Sequence, residues 1–412
     1  MIEVLRNRTY RTLFGAQVIA LIGTGLLTVA LGLLAFDLAG NAAGSVLGTA
    51  LTIKMVAYVG VAPFMAALVD RMPKKVVLVG ADVIRFAIAL MLPFVTETWQ
   101  IYVLVFALQS ASATFTPAFQ SLIPTVLPDA RDYTRALALS RLAYDLEALL
   151  SPILAAALLT MVAYSDLFLG TAFGFAASAT LVLVAAIPVH ATGAETSTFW
   201  QRLPEGIRVF VRTPELRFLA LANLVVAAGT AHVLVNSVVY VKAVFGLGDS
   251  ALALTLGAYG VGSLLVALNI PRLVDRLGVI RTIRAGLVTI VVGLTAASVV
   301  TLFAVVDGAG WAAVLTVWVV LGAGTSLVGT PSSRLLADAS TPANRNLVYT
   351  AQFALSHACF LIAYPLAGWI GAYSLVGAAA VLTLVAVAGA VVAAASRASR
   401  ETRPRHRVRR PR

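Results

Sequence analysis

Apolar residues gather in runs near 12–36, 43–69, 76–96, 99–123, 134–164, 166–189, 217–241, 251–274, 282–306, 310–335, 346–370 and 371–396, separated by short polar connections. Crossing a bilayer takes about 20 apolar residues in helical form. In hydrocarbon each backbone group must be paired within its own segment, so these runs are expected to be helices. The pattern predicts an all-α membrane protein with twelve transmembrane helices. The first run follows Arg6, Arg8 and Arg11. It is too long for a signal-peptide core and no small-residue cleavage site follows it, so it reads as a retained first span.

One connection is longer than the rest. Within 190–216, Phe199, Leu203, Ile207 and Phe210 recur at helical spacing against Arg202, Arg208 and Arg212. That predicts an amphipathic helix in the cytoplasmic interface. It divides the chain into a six-helix half (1–189), a linker (190–216), a second six-helix half (217–396) and a basic tail (397–412). The halves echo each other. Arg11, Gly23 and Thr24 return as Arg217, Gly229 and Thr230; Asp70-Arg71 returns as Asp275-Arg276; Thr116-Pro117 and Pro128 return as Thr330-Pro331 and Pro342; Pro152 returns as Pro365. The blocks keep their order, which argues for two pseudo-symmetric halves in parallel duplication, an arrangement that builds a central site between rocking halves.

Composition agrees. The 412 residues are 60% hydrophobic and 12% charged, where soluble domains carry about 45–50% and about 25%. A soluble enzyme is excluded. The formal charge of +12 would suit nucleic acid, but its placement explains it otherwise. With the N-terminus inside, the cytoplasmic connections hold Arg71, Lys74, Lys75, Arg131, Arg135, Arg202, Arg208, Arg212, Arg217, Arg272, Arg276, Arg281, Arg334 and Arg345. The outer connections hold Lys242 beside Asp37, Glu97, Asp166, Asp249 and Asp307. The asymmetry predicts an N-in, C-in membrane protein, with no nucleic-acid partner. From Arg397 onward the tail carries eight arginines, which fits anionic lipid. A single cysteine, Cys359, excludes an internal disulfide framework and a Cys-rich zinc site.

The stretch Ala66-Ala67-Leu68-Val69-Asp70-Arg71-Met72-Pro73-Lys74-Lys75 resembles the loop signature of the major facilitator superfamily, Gly-x-Leu-Ala-Asp-Arg-x-Gly-Arg-Lys, with both glycines replaced. The second copy, Leu273-Val274-Asp275-Arg276-Leu277-Gly278, keeps the turn glycine. The resemblance covers nearly the whole chain and implies alternating access, with Asp70, Arg71, Lys74, Lys75, Asp275 and Arg276 as gating-loop residues. Thr116-Pro117-Ala118-Phe119-Gln120, Leu122-Ile123-Pro124 and Arg135-Ala136-Leu137-Ala138 look like bacterial exporters of the drug:proton antiporter-3 type. The antiporter Gly-Pro motif is reduced here to Ser151-Pro152. Gln17–Gly40 and His357–Trp369 look similar to the nickel-resistance branch of that group.

A charge at mid-bilayer costs at least about 2.5–3.5 kcal/mol, so each needs a reason. Lys54 lies mid-way along the second helix. Asp82 and Arg85, and Arg141 and Asp145, are spaced to pair on one helix face, either as mutual neutralisation or in gating and coupling. Glu147 is about 200° around the helix from Asp145, on a stripe with Ser140 and Ser151. A carboxyl isolated there is a candidate proton carrier, or a protonated hydrogen-bond partner between helices. Glu147, Asp145 and Lys54 are the proton-coupling candidates. Gln17, Thr24, Thr28, Gln109, Ser112 and Thr116 form polar stripes that suit either a water-facing cavity or helix–helix hydrogen bonds.

His232 and His357, with Cys359, offer donors that suit nickel, cobalt or zinc. His357 and Cys359 lie about 200° apart around their helix, so His232, Asn236 and His357 make the tidier metal-ligand set. No phosphate-binding loop is present and no cofactor is implied, so the expected driver is a proton gradient. The reading is a proton-coupled exporter whose substrate is a divalent metal such as nickel or cobalt, or else a hydrophobic drug or siderophore-like molecule. A membrane-embedded enzyme would need a nucleophile–base set or a His-Glu-x-x-His motif, which the chain lacks. A non-transporting sensor fits two symmetric halves poorly.

Overall fold

The computed structural model describes residues 2–61, 65, 72–187, 199–303, 308–341 and 344–401. Its described elements are helical. Helix α1 (Arg8–Ala39) starts where the Asn7 side chain accepts the Tyr10 amide at 3.0 Å, which satisfies one of the orphan donors of a first turn. It stops at Gly40, whose φ of +52° is a conformation that side-chain-bearing residues rarely adopt. The chain then reverses into α2 (Ala43–Val56), which continues as a π-helical turn over Ala57–Val61. Helices α3 (Lys74–Met91), α4 (Thr98–Val126), α5 (Ala130–Leu158) and α6 (Tyr164–Val184) complete the first half. Asp129 caps α5 by accepting the Arg131 and Asp132 amides at 2.8 and 3.1 Å.

The linker helix α7 (Phe199–Arg212) matches its amphipathic pattern: Phe210 is buried while Arg208 and Arg212 are exposed. It docks on the second half, since a Cβ at Gly206 would overlap the Leu347 carbonyl. That half comprises α8 (Pro214–Val238, continuing as a π-helical segment Val239–Val244), α9 (Asp249–Ala267), the short α10 (Ile270–Leu277), α11 (Val279–Leu302), α12 (Gly308–Asp338), α13 (Arg345–Pro365, continuing as a π-helical segment Leu366–Ile370) and α14 (Leu375–Glu401).

Among the described residues ten helical stretches are long and apolar enough to cross a membrane. One of them, Arg8–Val61, contains both α1 and α2. Helix α5 is not among the ten; its sequence carries Arg131, Asp132, Arg135, Arg141, Asp145 and Glu147. Lipid offers no hydrophobic drive between helices, so small residues that let backbones approach decide the packing. Gly262 of α9 and Gly322 of α12 are such a pair: a Cβ on either would overlap a backbone carbonyl of the other helix.

At the end of the bundle remote from α7, helices of the two halves approach closely. There Gly48 of α2 faces the π-helical segment of α13, and a Cβ on Gly48 would stand 2.8 Å from Gly368 Cα and 2.9 Å from the Tyr364 carbonyl. Asn236 of α8 wedges into the same seam, its Oδ1 against Gly44 and Gly371.

Candidate functional site

The polar stripes of α1 and α5 pack against one another. Ser140 donates to Gln17 Oε1 at 3.0 Å, with both side chains buried, so this part of each stripe is helix–helix glue. Two turns further along α5, Glu147 and Ser151 lie against Gly25 of α1: a Cβ there would stand 2.9 Å from Glu147 Oε1 and overlap the Ser151 side chain. Ser151 Oγ is buried without a hydrogen-bond partner. Only a glycine leaves room for the carboxyl at this crossing.

Beside this contact is a cavity lined by Thr24, Leu27, Thr28 and Leu31 of α1, Leu47, Leu51 and Lys54 of α2, and Val105 and Gln109 of α4. Its 20 Å³ suffices for about one water molecule. Lys54, which lines the cavity, and Glu147 of α5 act on each other electrostatically. Thr24 and Thr28 spend their hydroxyl protons on α1 carbonyls, at 3.0 and 3.1 Å. That leaves their oxygen lone pairs as the groups they can offer a guest.

One turn beyond Lys54, Tyr58 lies in the π-helical turn of α2, a feature frequent at functional sites. Tyr58 interacts electrostatically with Glu147, Tyr144 and Arg85, and its ring stacks on His357 of the other half, centroids 5.5 Å apart at 14°. Tyr144 of α5 reaches Thr116 of α4, the hydroxyls 3.4 Å apart. Tyr58 and Tyr144 were not picked out by sequence reasoning. The available signal was spacing: Tyr58 is four residues from Lys54 and Tyr144 three from Glu147, so each shares a helix face with a buried charge.

Asp82 and Arg85 pair as their spacing predicts. Asp82 also accepts Ser178 Oγ of α6 at 2.7 Å. The Arg85 guanidinium is held between the rings of Phe115 and Phe175, 4.4 and 4.6 Å from their centroids, an arrangement that offsets part of its desolvation. This unit is buried and tied to three helices. The side chains of Arg141 and Asp145 lie outside the described residues, as do Asp70 and Arg71. Lys75 donates to the Ala185 carbonyl at 3.1 Å, and Lys74 is buried at the start of α3. Asp275 and Arg276 are exposed on α10, which ends at Gly278 with φ +81°.

The proposed metal ligands are not gathered. His232 is fully buried, with Nδ1 3.3 Å from Asn236 Nδ2 and Nε2 3.3 Å from the Tyr240 hydroxyl. Tyr240 passes the chain on to Thr301 at 2.5 Å. His357 instead donates from Nδ1 to the Phe353 carbonyl at 2.7 Å and faces α2. Cys359 points at the Ala220 carbonyl, 3.9 Å away, which is about 18 Å along α8 from His232 at the usual helical rise. Among the described residues no group of three or more His, Cys, Asp or Glu side chains is placed to hold a metal.

The sequence matches the family model described as Major Facilitator Superfamily over residues 13–296 and 219–412. The chain belongs to that superfamily. No curated protein matches the sequence closely enough to add to this. Among solved structures, the nucleoside transporter NupG in its D323A form is similar over 94% of this chain and 100% of that one, with 14% identity and a TM-score of 0.71. A POT family transporter in complex with 5-aminolevulinic acid is similar over 95% and 97%, with 12% identity and a TM-score of 0.71. A bacterial homologue of the human lysosomal transporter Spinster, in an inward-facing and unoccupied conformation, covers 95% of each chain at 13% identity and a TM-score of 0.64. At such identities the likeness is one of fold. The chain is a multi-pass membrane transporter and not an enzyme.

Proposed function

We propose that this chain is a proton-coupled exporter of small organic molecules that works by alternating access, with Glu147 carrying the proton and Lys54 as its counter-charge. One observation carries the reading. Glu147 is held on Gly25 at the α1–α5 crossing and is coupled to the ammonium that lines the neighbouring cavity. Protonation of Glu147 releases Lys54 from its counter-charge, so the electrostatics of the cavity change with each proton bound.

Counting α1 and α2 separately and adding α5 to the apolar stretches gives twelve spans. The arginine-rich connections favour an N-in, C-in arrangement in the bacterial inner membrane. In that orientation the Gly48–Gly368 seam lies on the outer side. Asp70, Arg71, Lys74 and Lys75, with Asp275 and Arg276, are then the cytoplasmic gating loops, and the arginine-rich tail lies on anionic lipid. Leu27, Leu31, Leu47, Leu51 and Val105 give the cavity an apolar wall with a few polar groups, and at the volume of one water it has to widen during the cycle before a drug-like molecule can enter. A nickel or cobalt substrate draws less support, because His232, Asn236, His357 and Cys359 do not converge.

The test is transport in inverted membrane vesicles under an imposed proton gradient, with ethidium, a macrolide and a catecholate siderophore as probes. Gradient-driven uptake of at least one probe is expected for the wild type, and Glu147→Gln is expected to fall to the level of empty vesicles. Uptake that ignores the gradient, or a Glu147→Gln variant that couples as well as wild type, would defeat the reading.

A further inference from the structure

A histidine of the other half, His357, stacks on Tyr58, which is itself coupled to Glu147. The His357 imidazole is fixed on three sides. Its Nδ1–H donates to the Phe353 carbonyl at 2.7 Å. Phe353 also covers the ring at a centroid distance of 4.1 Å. Tyr58 of α2 stacks on it at 5.5 Å. A carbonyl can only accept, so Nδ1 holds the hydrogen of the neutral ring and Nε2 keeps a lone pair. The ring is therefore oriented with one basic nitrogen available.

The groups around it can be named. From its own helix come the Phe353 carbonyl and Ser356, whose Oγ is 3.4 Å from Nδ1. From α2 come Tyr58 and, one turn earlier on the same face, Lys54, which acts electrostatically on His357. From α5 comes Glu147, which acts on both Lys54 and Tyr58. Arg85 and Tyr144 also act electrostatically on Tyr58. Cys359 faces Ala220 instead. Lys54 is thus coupled to a carboxyl of the first half and to an imidazole of the second.

Resting on the proton-coupled reading, we propose that His357 is a second proton-binding residue of the transport cycle, and that Glu147 and His357 hold the proton alternately, with Lys54 coupled to both. The charge count gives the reason. With Glu147 ionised and His357 protonated, the trio carries a net single positive charge; with Glu147 protonated and His357 neutral it carries the same. Protonating both leaves two cations and no anion in a desolvated site, which is strongly unfavourable. The state with neither proton is neutral overall. A proton that leaves Glu147 for His357 Nε2 therefore changes which half carries it without changing the total charge. Tyr58, stacked on one acceptor and coupled to the other, is the positioning residue.

Full-length protein in lipid nanodiscs provides the test. In a Cys359→Ser background, spin labels on Arg131→Cys and Asp338→Cys report the separation of the halves at the linker end, read by pulsed electron paramagnetic resonance from mildly acidic to mildly alkaline pH. The wild type is expected to shift its distance distribution with pH. Glu147→Gln and His357→Gln should each keep a pH dependence of altered midpoint, and the double variant should be flat. His357→Phe retains a stacking ring but cannot titrate, and should behave as His357→Gln. If His357→Gln or His357→Phe titrates as wild type while Glu147→Gln is flat, His357 is no proton site and Glu147 stands alone. If Glu147→Gln titrates as wild type, or if wild type itself is flat, the proton-coupled reading fails and this one falls with it.

Discussion

Glu147 and Gly25 are in van der Waals contact across the α1–α5 crossing, so close that a methyl group on Gly25 would meet the carboxyl Oε1 at 2.9 Å and overlap Ser151. A small residue on one helix is therefore a condition for the acid on the other. Gly25→Ala is expected to push α1 and α5 apart or turn Glu147 away from Lys54. Overpacking of this kind costs about 1–3 kcal/mol. Gly80→Ala is the control: it lies inside α3 with no atom within 4 Å of the added Cβ, and should gain about 0.5–1 kcal/mol from helix propensity. Thermal unfolding in detergent should show a lower Tm for the first and an equal or higher Tm for the second. Equal melting of Gly25→Ala and wild type would mean that the crossing has slack.

The Asp82–Arg85 unit yields a prediction about non-additivity. Removing one member of a buried ion pair leaves an uncompensated charge and typically costs about 3–5 kcal/mol, whereas replacing both is far milder. Asp82→Asn should destabilise strongly, because Arg85 would remain between Phe115 and Phe175 with its charge unmatched. Arg85→Met should do likewise by leaving Asp82 with Ser178 alone. The double variant should recover most of the loss in Tm. Additive losses would show that the ring sandwich, rather than the pair, holds the unit together.

A third expectation concerns the closed seam. Gly48 and Gly368 approach so closely that a side chain on either needs the helices to part. Gly48→Val should shift the protein toward states open at the end remote from α7. Spin labels at the half-buried Ser45 of α2 and the exposed Tyr373, both near that seam, should report longer distances in Gly48→Val than in the parent. An unchanged distribution would mean that the backbone yields locally instead.

Much of the fold was readable because lipid imposes a simple rule: an apolar stretch of the right length must be a helix. The amphipathic linker was equally plain, since Phe210 and its neighbours repeat at helical period opposite arginines. Asp82 with Arg85 followed from spacing, and Ser140, Glu147 and Ser151 were rightly placed on one stripe. What spacing along a helix cannot give is which stripe faces which. That Ser140 meets Gln17, that Glu147 meets Gly25, and that Tyr58 stacks on His357 depend on crossings between residues far apart in sequence. The same limit explains the metal set. His232 and His357 share a half and a chemistry, but helical spacing does not set their relative heights, and α13 presents His357 to α2 while His232 is consumed by Asn236 and Tyr240.

The separation of those histidines leads to a last prediction. A ligand that binds the folded state at one hundred times its Kd adds about 2.7 kcal/mol to stability, enough to raise Tm by a few degrees. A metal needs several donors at once, and here His232 has one ring nitrogen facing Asn236 and the other facing Tyr240. His357 offers only Nε2, and Cys359 is turned toward Ala220. Nickel or cobalt added to purified protein is therefore expected to leave Tm unchanged, in wild type and in His232→Ala/His357→Ala alike. A metal-dependent rise in the wild type that disappears in the double variant would mean that the two histidines converge in another state of the cycle. It would also restore a metal ion as the substrate.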